Sequence, residues 1–352
     1  MQAYHEQAIS LLKQLIAIPS FSREEDKTAD VLFQHLVSLG FAPERKGNNV
    51  WVKSVISESL PTILLNSHHD TVKPTAAWTL DPFNPVEKDG KLFGLGSNDA
   101  GAPLVSLLMT FVHFSTQKER PFNLIFSATA EEEVTGKGGV ESIIPELGKV
   151  DLAIVGEPTQ MQMAVASKGL MVLDCKTIGK TGHAARNEGI NALYLAIDDI
   201  DWFRAYQFPE ESELLGPVKM SVTVINAGTQ HNVVPAECSY VVDVRTNEYY
   251  SNVQALEIIR QHVKNSEVTP RSTRLNSSRI DLKHPLVKRG IDLGLTYFGS
   301  PTSSDQMVIP YPSIKIGPGD SARSHSADEF IYPEEIKQGI ETYIKLLDNI
   351  NL

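Results

Sequence analysis

Apolar runs of strand length in this chain end repeatedly in charge or glycine. Thr62-Ile63-Leu64-Leu65 runs into "SHHDTVKP", "FNLIFSA" runs into three glutamates at 131–133, and Ala153-Ile154-Val155 runs into Gly156-Glu157-Pro158. Between the first two lies an apolar segment at about 104–115, too long for one strand and continuous enough for a buried helix. Buried strands alternating with helices predict an α/β domain with a mostly parallel central sheet. Ligands of such open sheets bind outside the carboxyl ends of the strands, where this chain places its charge.

The first domain starts with Ile9, Leu12, Leu15 and Ile16 at helical spacing, which reads as an amphipathic helix and not as a signal peptide. In "SFSREEDKTADVLFQHLVSLG", Ser22 and Glu25 have the spacing of a capping box, and Gly40 closes the helix. Strands are expected at about 50–56, 62–66, 123–128 and 152–155. The middle of the chain follows a different order, with strand 170–178, helix 192–206, strands 220–225 and 238–245, helix 253–263, and a last extended segment near 271–276. That βαββαβ order is ferredoxin-like. Residues 165–275 are therefore expected to form an inserted domain, with 1–164 and 276–352 making the first one.

Charge and cysteine content narrow the class. A formal net charge of −11 argues against nucleic acid or an anionic membrane as partner. No run approaches the roughly 20 apolar residues of a membrane span. Cys175 and Cys238 are the only cysteines, which suits a reducing compartment and a cytoplasmic protein. With no Cys-x-x-Cys, a metal would have to be held by His, Asp and Glu.

Five polar clusters could carry chemistry. In His68-His69-Asp70 a histidine can ligate a metal while the aspartate orients it, or all three can be solvated loop residues; strand alternation points His68 and His69 to opposite faces. Asp99, in "GLGSNDAGAPL", can bind metal or cap the helix that follows. Three adjacent glutamates at 131–133 repel one another unless a cation neutralises them, and one could then serve as a general base. Glu157 ends a further strand, and His325 lies in the Gly-rich "GPGDSARSHSADEFI". Two histidines with several carboxylates suit a pair of Zn²⁺, Co²⁺ or Mn²⁺ ions.

In order, His-x-Asp, Gly-x-Gly-x-x-Asp, Glu-Glu, Gly-Glu-Pro and a late His resemble the zinc-dependent M20 peptidase/deacylase family, across essentially the whole chain. The motifs look closest to those of its acetylornithine deacetylase and succinyl-diaminopimelate desuccinylase branch. The resemblance implies two zinc ions per chain, with Co²⁺ or Mn²⁺ as substitutes. It makes His68 and Glu157 ligands of one zinc, Glu133 and His325 ligands of the other, and Asp99 the bridge. Asp70 would orient His68, and Glu132 would be the general base. Glu131 stands where the family commonly has Asp; His69 and the extra Lys73 are further departures.

The same resemblance implies a homodimer formed through the inserted domain, with His183 of "KTGHAARNEGINAL" reaching into the other subunit's active site. Asn232 and Arg245 would contact substrate, and Ser303, Ser304 and Gly319 would line the loops that hold its carboxylate. The activity implied is hydrolysis of a linear amide in a small N-acyl amino acid, foremost acetylornithine-type deacetylation. A desuccinylase acting on succinyl-diaminopimelate, succinylornithine or an acyl-citrulline is the alternative, as is a dipeptidase. The reading from a different class is a binding protein that kept the fold without catalysis.

Overall fold

The computed structural model describes residues 1–186 and 188–352. The chain divides into two compact units, one of residues 1–165, 279–298 and 304–352, the other of 166–278 and 299–303.

The core of the first unit is a run of four parallel strands in the order Asn123–Thr129, Thr62–His68, Leu152–Val155 and Ser313–Lys315. Asn49–Ser54 adds on antiparallel beside the first of them, and Ala164 pairs antiparallel beyond the last. Asn123–Thr129 and Leu152–Val155 are buried at every position, the signature of strands covered on both faces. The helix Ala102–Ser115 covers one face and is buried from Ala102 through Val112, with Ser106 and Thr110 the polar residues of that stretch. It packs against Gln2–Ile16 and Pro333–Leu347. On the opposite face Val140, Ile143 and Leu147 of Val140–Leu147 close over Trp51, Leu64, Ile125 and Ala153.

The second unit is a four-stranded antiparallel sheet in the order Lys219–Ala227, Glu237–Arg245, Met171–Ile178, Ser266–Pro270. In Met171–Ile178 buried Met171, Leu173, Cys175 and Thr177 alternate with more exposed residues, so a single face is covered. The helices Ala192–Ala205 and Asn252–His262 supply Ala192, Ala196, Phe203, Ala255 and Ile259 to that core.

Two local expectations are corrected. The last strand is Ser266–Pro270, not 271–276: Val268 is its buried residue, Pro270 ends it, and Arg271 turns its guanidinium onto Asp174. Ser22 and Glu25 make no capping box. The helix is Asp26–Ser38 with no side-chain cap, because both side chains are drawn elsewhere. Ser22 Oγ donates to Asp70 Oδ2 at 2.7 Å, and Glu25 Oε1 accepts from the Glu131 amide at 3.1 Å. A buried carboxylate needs hydrogen-bond donors, and the amides of Arg23 and Glu131 supply them to Glu25.

Candidate metal centre

Each parallel strand delivers one piece of the site at its carboxyl end. His68 is the last residue of Thr62–His68 and is 1% exposed. Its Nε2 lies 3.3 Å from Asp99 Oδ1, 3.8 Å from Glu132 Oε2 and 3.9 Å from Glu157 Oε1. Its Nδ1 meets the Asp70 carbonyl oxygen at 3.0 Å and the Asp70 carboxylate at 3.5 Å. His325 Nε2 is 2.9 Å from Glu133 Oε2 and 3.7 Å from Asp99 Oδ2. Asp99 therefore stands between two imidazoles. Ligand atoms of His68, Asp99 and Glu133 lie within 4.8 Å of one another, as do those of His68, Glu132 and Glu157.

The charge balance is what a cation site needs. Burial drives the Glu132 carboxyl well above the usual range, and Glu157, Asp305 and Glu133 push it the same way against the pull of His68. Burial lifts Glu157 to about 8. His325 rises to about 9 through its bond to Glu133. Burial alone would depress His68, yet its contacts with Asp70 and Asp99 outweigh that and raise it. Glu157 Oε1 is also buried without a hydrogen-bond partner. Crowded carboxylates, one of them orphaned and aimed at a buried imidazole, fit divalent cations.

The three glutamates divide their labour. Glu131, at φ +57°, turns away, and its carboxylate lies against Gly136 and Gly138, where a Cβ would collide with it. Glu132 and Glu133 face the centre, and their amides donate to the Asp70 carboxylate at 3.0 and 3.1 Å. Asp70 thus holds both His68 and the backbone of the glutamate turn, a wider role than its sequence position implied.

His69 faces the other way, as strand alternation requires. Its Nδ1 meets Thr28 Oγ1 at 2.9 Å and its Nε2 meets the Asn48 carbonyl at 2.9 Å. Burial lowers its pKa. It is a strut between the sheet and the Asp26–Ser38 helix. His69→Ala is expected to cost about 2–4 kcal/mol in urea denaturation while leaving bound metal unchanged.

Of the remaining expected residues, His183, Asn232, Arg245 and Ser303 belong to the second unit, and Ser304 and Gly319 to the first. His183 is exposed on the strand Gly182–His183, and Asn232 is exposed beside it, its carbonyl accepting from Ala184 N. Arg245 is held bidentate by Asp243, at 2.8 and 3.1 Å, with Ser303 Oγ at 3.4 Å from Nη1. Ser304 is buried, and its Oγ accepts from Gln306 N. Gly319, at φ +95°, is a close-approach glycine: a Cβ there would lie 2.5 Å from Asn98 Oδ1.

Three buried charges beside the centre were missed. Asp305 accepts from Asn66 Nδ2 and Thr129 Oγ1 at 2.8 and 2.7 Å. Lys315 is 3% exposed; burial lowers its pKa while Glu157, Glu132 and Asp99 oppose the shift. The available signal was a lysine between two isoleucines, Ile314 and Ile316. Glu329 gave none.

A carboxylate–imidazole cluster at the carboxyl edge of an α/β sheet is the equipment of a metal-dependent hydrolase. The profile of peptidase family M20/M25/M40 matches residues 64–349. The chain belongs to that family and is a hydrolase acting on amide bonds. It is 30% identical over 259 residues to an acetylornithine deacetylase of Proteus mirabilis, an alignment spanning 67% of this chain and 66% of that protein, just under two thirds of the relative. It is 26% identical over 292 residues to a succinyl-diaminopimelate desuccinylase of Verminephrobacter eiseniae, covering 73% and 71% of the two. In fold it is similar to a dinuclear metal-binding M20 peptidase of Bacillus subtilis, with TM-score 0.74, 16% identity and coverage of 99% and 100%. Among the described residues no helix is long and apolar enough to cross a membrane.

Proposed function

We propose that this chain removes the N-acyl group from a small acylated amino acid, with N-acetylornithine the first candidate. The observation that carries the reading is Glu132, a carboxylate only 10% exposed whose Oε2 lies 3.8 Å from the His68 imidazole. Two Zn²⁺ ions, with Co²⁺ or Mn²⁺ as substitutes, are the cofactor proposed: His68, Asp99 and Glu157 would hold one, and Asp99, Glu133 and His325 the other. Bound there, they supply Lewis acidity toward the amide carbonyl and bring the pKa of water toward neutrality.

The protein's own part is proton handling and orientation. Glu132 accepts a proton from the attacking water as the C–O bond forms, then delivers it to the leaving nitrogen as the C–N bond breaks, giving a carboxylate and a free amine. A carboxyl pushed upward by burial is suited to return that proton near neutral pH. Asp70 fixes the His68 ring and both amides of the Glu132-Glu133 turn, so base and ligands move as one body.

The substrate carboxylate is assigned to Arg245 and the loops around Ser303, Ser304 and Gly319, with Asn232 as a further contact. A homodimer formed through the second unit would bring His183 to the developing oxyanion of the other subunit. Supporting it, Lys219–Ala227 is an edge strand on which Val224 and Ile225 are exposed, and Tyr194 and Ile197 stand exposed on the Ala192–Ala205 helix.

The test is amine release by Zn²⁺- or Co²⁺-supplied protein from N-acetylornithine, N-acetylcitrulline, N-succinylornithine, N-succinyl-diaminopimelate and a set of dipeptides. N-acetylornithine is expected to be hydrolysed fastest. Preference for a succinyl substrate or for acetylcitrulline would reassign the acyl or amino-acid pocket. Cleavage of dipeptides alone would replace deacylation by peptidase activity.

A further inference from the structure

The loop that carries Asp99 is built around one buried side chain from a distant part of the chain. Glu329 is 2% exposed, and its carboxylate accepts three main-chain amides of that loop. Oε1 takes Asn98 N at 2.8 Å and Asp99 N at 2.9 Å, and Oε2 takes Gly96 N at 3.2 Å. The Glu329 carbonyl accepts a fourth, from Gly94 at 3.0 Å. A second tie runs beside it: Asn98 Nδ2 donates to the Asp320 carbonyl at 3.0 Å, and Asn98 Oδ1 accepts Asp320 N at 2.9 Å. The segment leading to His325 and the loop bearing Asp99 are thereby joined at both ends of the 320–329 stretch.

We infer that Glu329 is the positioning residue for Asp99, fixing that carboxylate between the two imidazoles by holding its backbone rather than by touching a ligand. This inference rests on the reading of Asp99 as a metal ligand.

The donors call for the two oxygens of a carboxyl group. Three N–H donors converge on Glu329, and a carboxylate has acceptor sites for all of them. A glutamine of the same shape has one acceptor oxygen and an NH₂ that would face an N–H, donor against donor. Keeping a carboxylate at 2% exposure costs desolvation, which the three amides partly offset. A group that only filled space would be apolar at such a position. Holding three amides of a ligand loop is a reason to keep a carboxylate there.

The test is Co²⁺ titration, followed by absorbance and calorimetry, of the wild-type chain, Glu329→Gln, Asp99→Asn and the double variant. Glu329→Gln is expected to weaken Co²⁺ binding by about 10–100-fold with an altered visible spectrum. In the Asp99→Asn background it should cost nothing more, because its effect passes through Asp99. Equal losses in the two backgrounds, or no loss in the single variant, would overturn the inference. Hydrogen exchange of the metal-free wild-type chain gives an arm that needs no variant to fold. The amides of Gly96, Asn98 and Asp99 should be protected well beyond those of exposed loops, and rapid exchange at Asn98 and Asp99 would refute the clamp. If the wild-type chain bound no Co²⁺, the metal reading would fail, and the exchange result would still decide whether Glu329 holds the loop.

Discussion

Glu132→Ala is expected to lower kcat by about 10²–10⁴-fold while the protein still retains its metal. Asp99→Ala is expected to lose turnover and metal together. The contrast decides between two arrangements that the geometry permits. His68, Glu132 and Glu157 form one tight group of ligand atoms, and His68, Asp99 and Glu133 form another. If Glu132 were a ligand, its removal would release metal as Asp99→Ala does. If it is the base, metal stays and only proton transfer is lost. Metal content by atomic absorption, with kcat on the preferred acyl amino acid, separates the cases. Equal loss of metal in both variants would end the role proposed for Glu132. A Glu132→Ala variant with wild-type turnover would leave the mechanism without its base.

What could be read from sequence was whatever lies along the chain within one element. The strand ends at His68, Glu132 and Glu157 were legible because an apolar run has a direction and parallel strands point their carboxyl ends the same way. Alternation placed His69 on the face opposite His68, and its contacts with Thr28 and the Asn48 carbonyl bear that out. The errors came where a long-range contact outbid a local one. Ser22 and Glu25 have the spacing of a cap, yet Asp70 and the Glu131 amide claim them, and those partners lie 48 and 106 residues away. Asp305 and Glu329 were invisible for the same reason. Neither belongs to a periodic pattern, and their partners Asn66, Thr129 and the 96–99 loop are between 176 and 239 residues distant. The strand Ser266–Pro270 was misplaced because it contributes a single buried residue, Val268, too little to register as alternation.

Two inactive variants should restore one another when mixed. In the proposed dimer each active site uses Glu132 of one subunit and His183 of the other. Glu132→Ala and His183→Ala are each expected to be nearly inactive alone, the latter by about 10²–10³-fold as for loss of an oxyanion donor. Random reassembly of an equal mixture makes half the dimers hybrids. In each hybrid one site has both substitutions and the other has neither. Turnover should therefore return to about a quarter of the wild-type value. The position of His183, exposed on a two-residue strand with its Nδ1 accepting Ala185 N at 3.1 Å, leaves Nε2 as the ring nitrogen open to a substrate. Recovery has to depend on subunit exchange, so mixing without a dissociation step gives the control. No recovery after demonstrated exchange would mean that His183 serves its own subunit or none. Recovery from dissociated and reassembled protein alone would establish at once that the site is shared and that the dimer is the unit of catalysis.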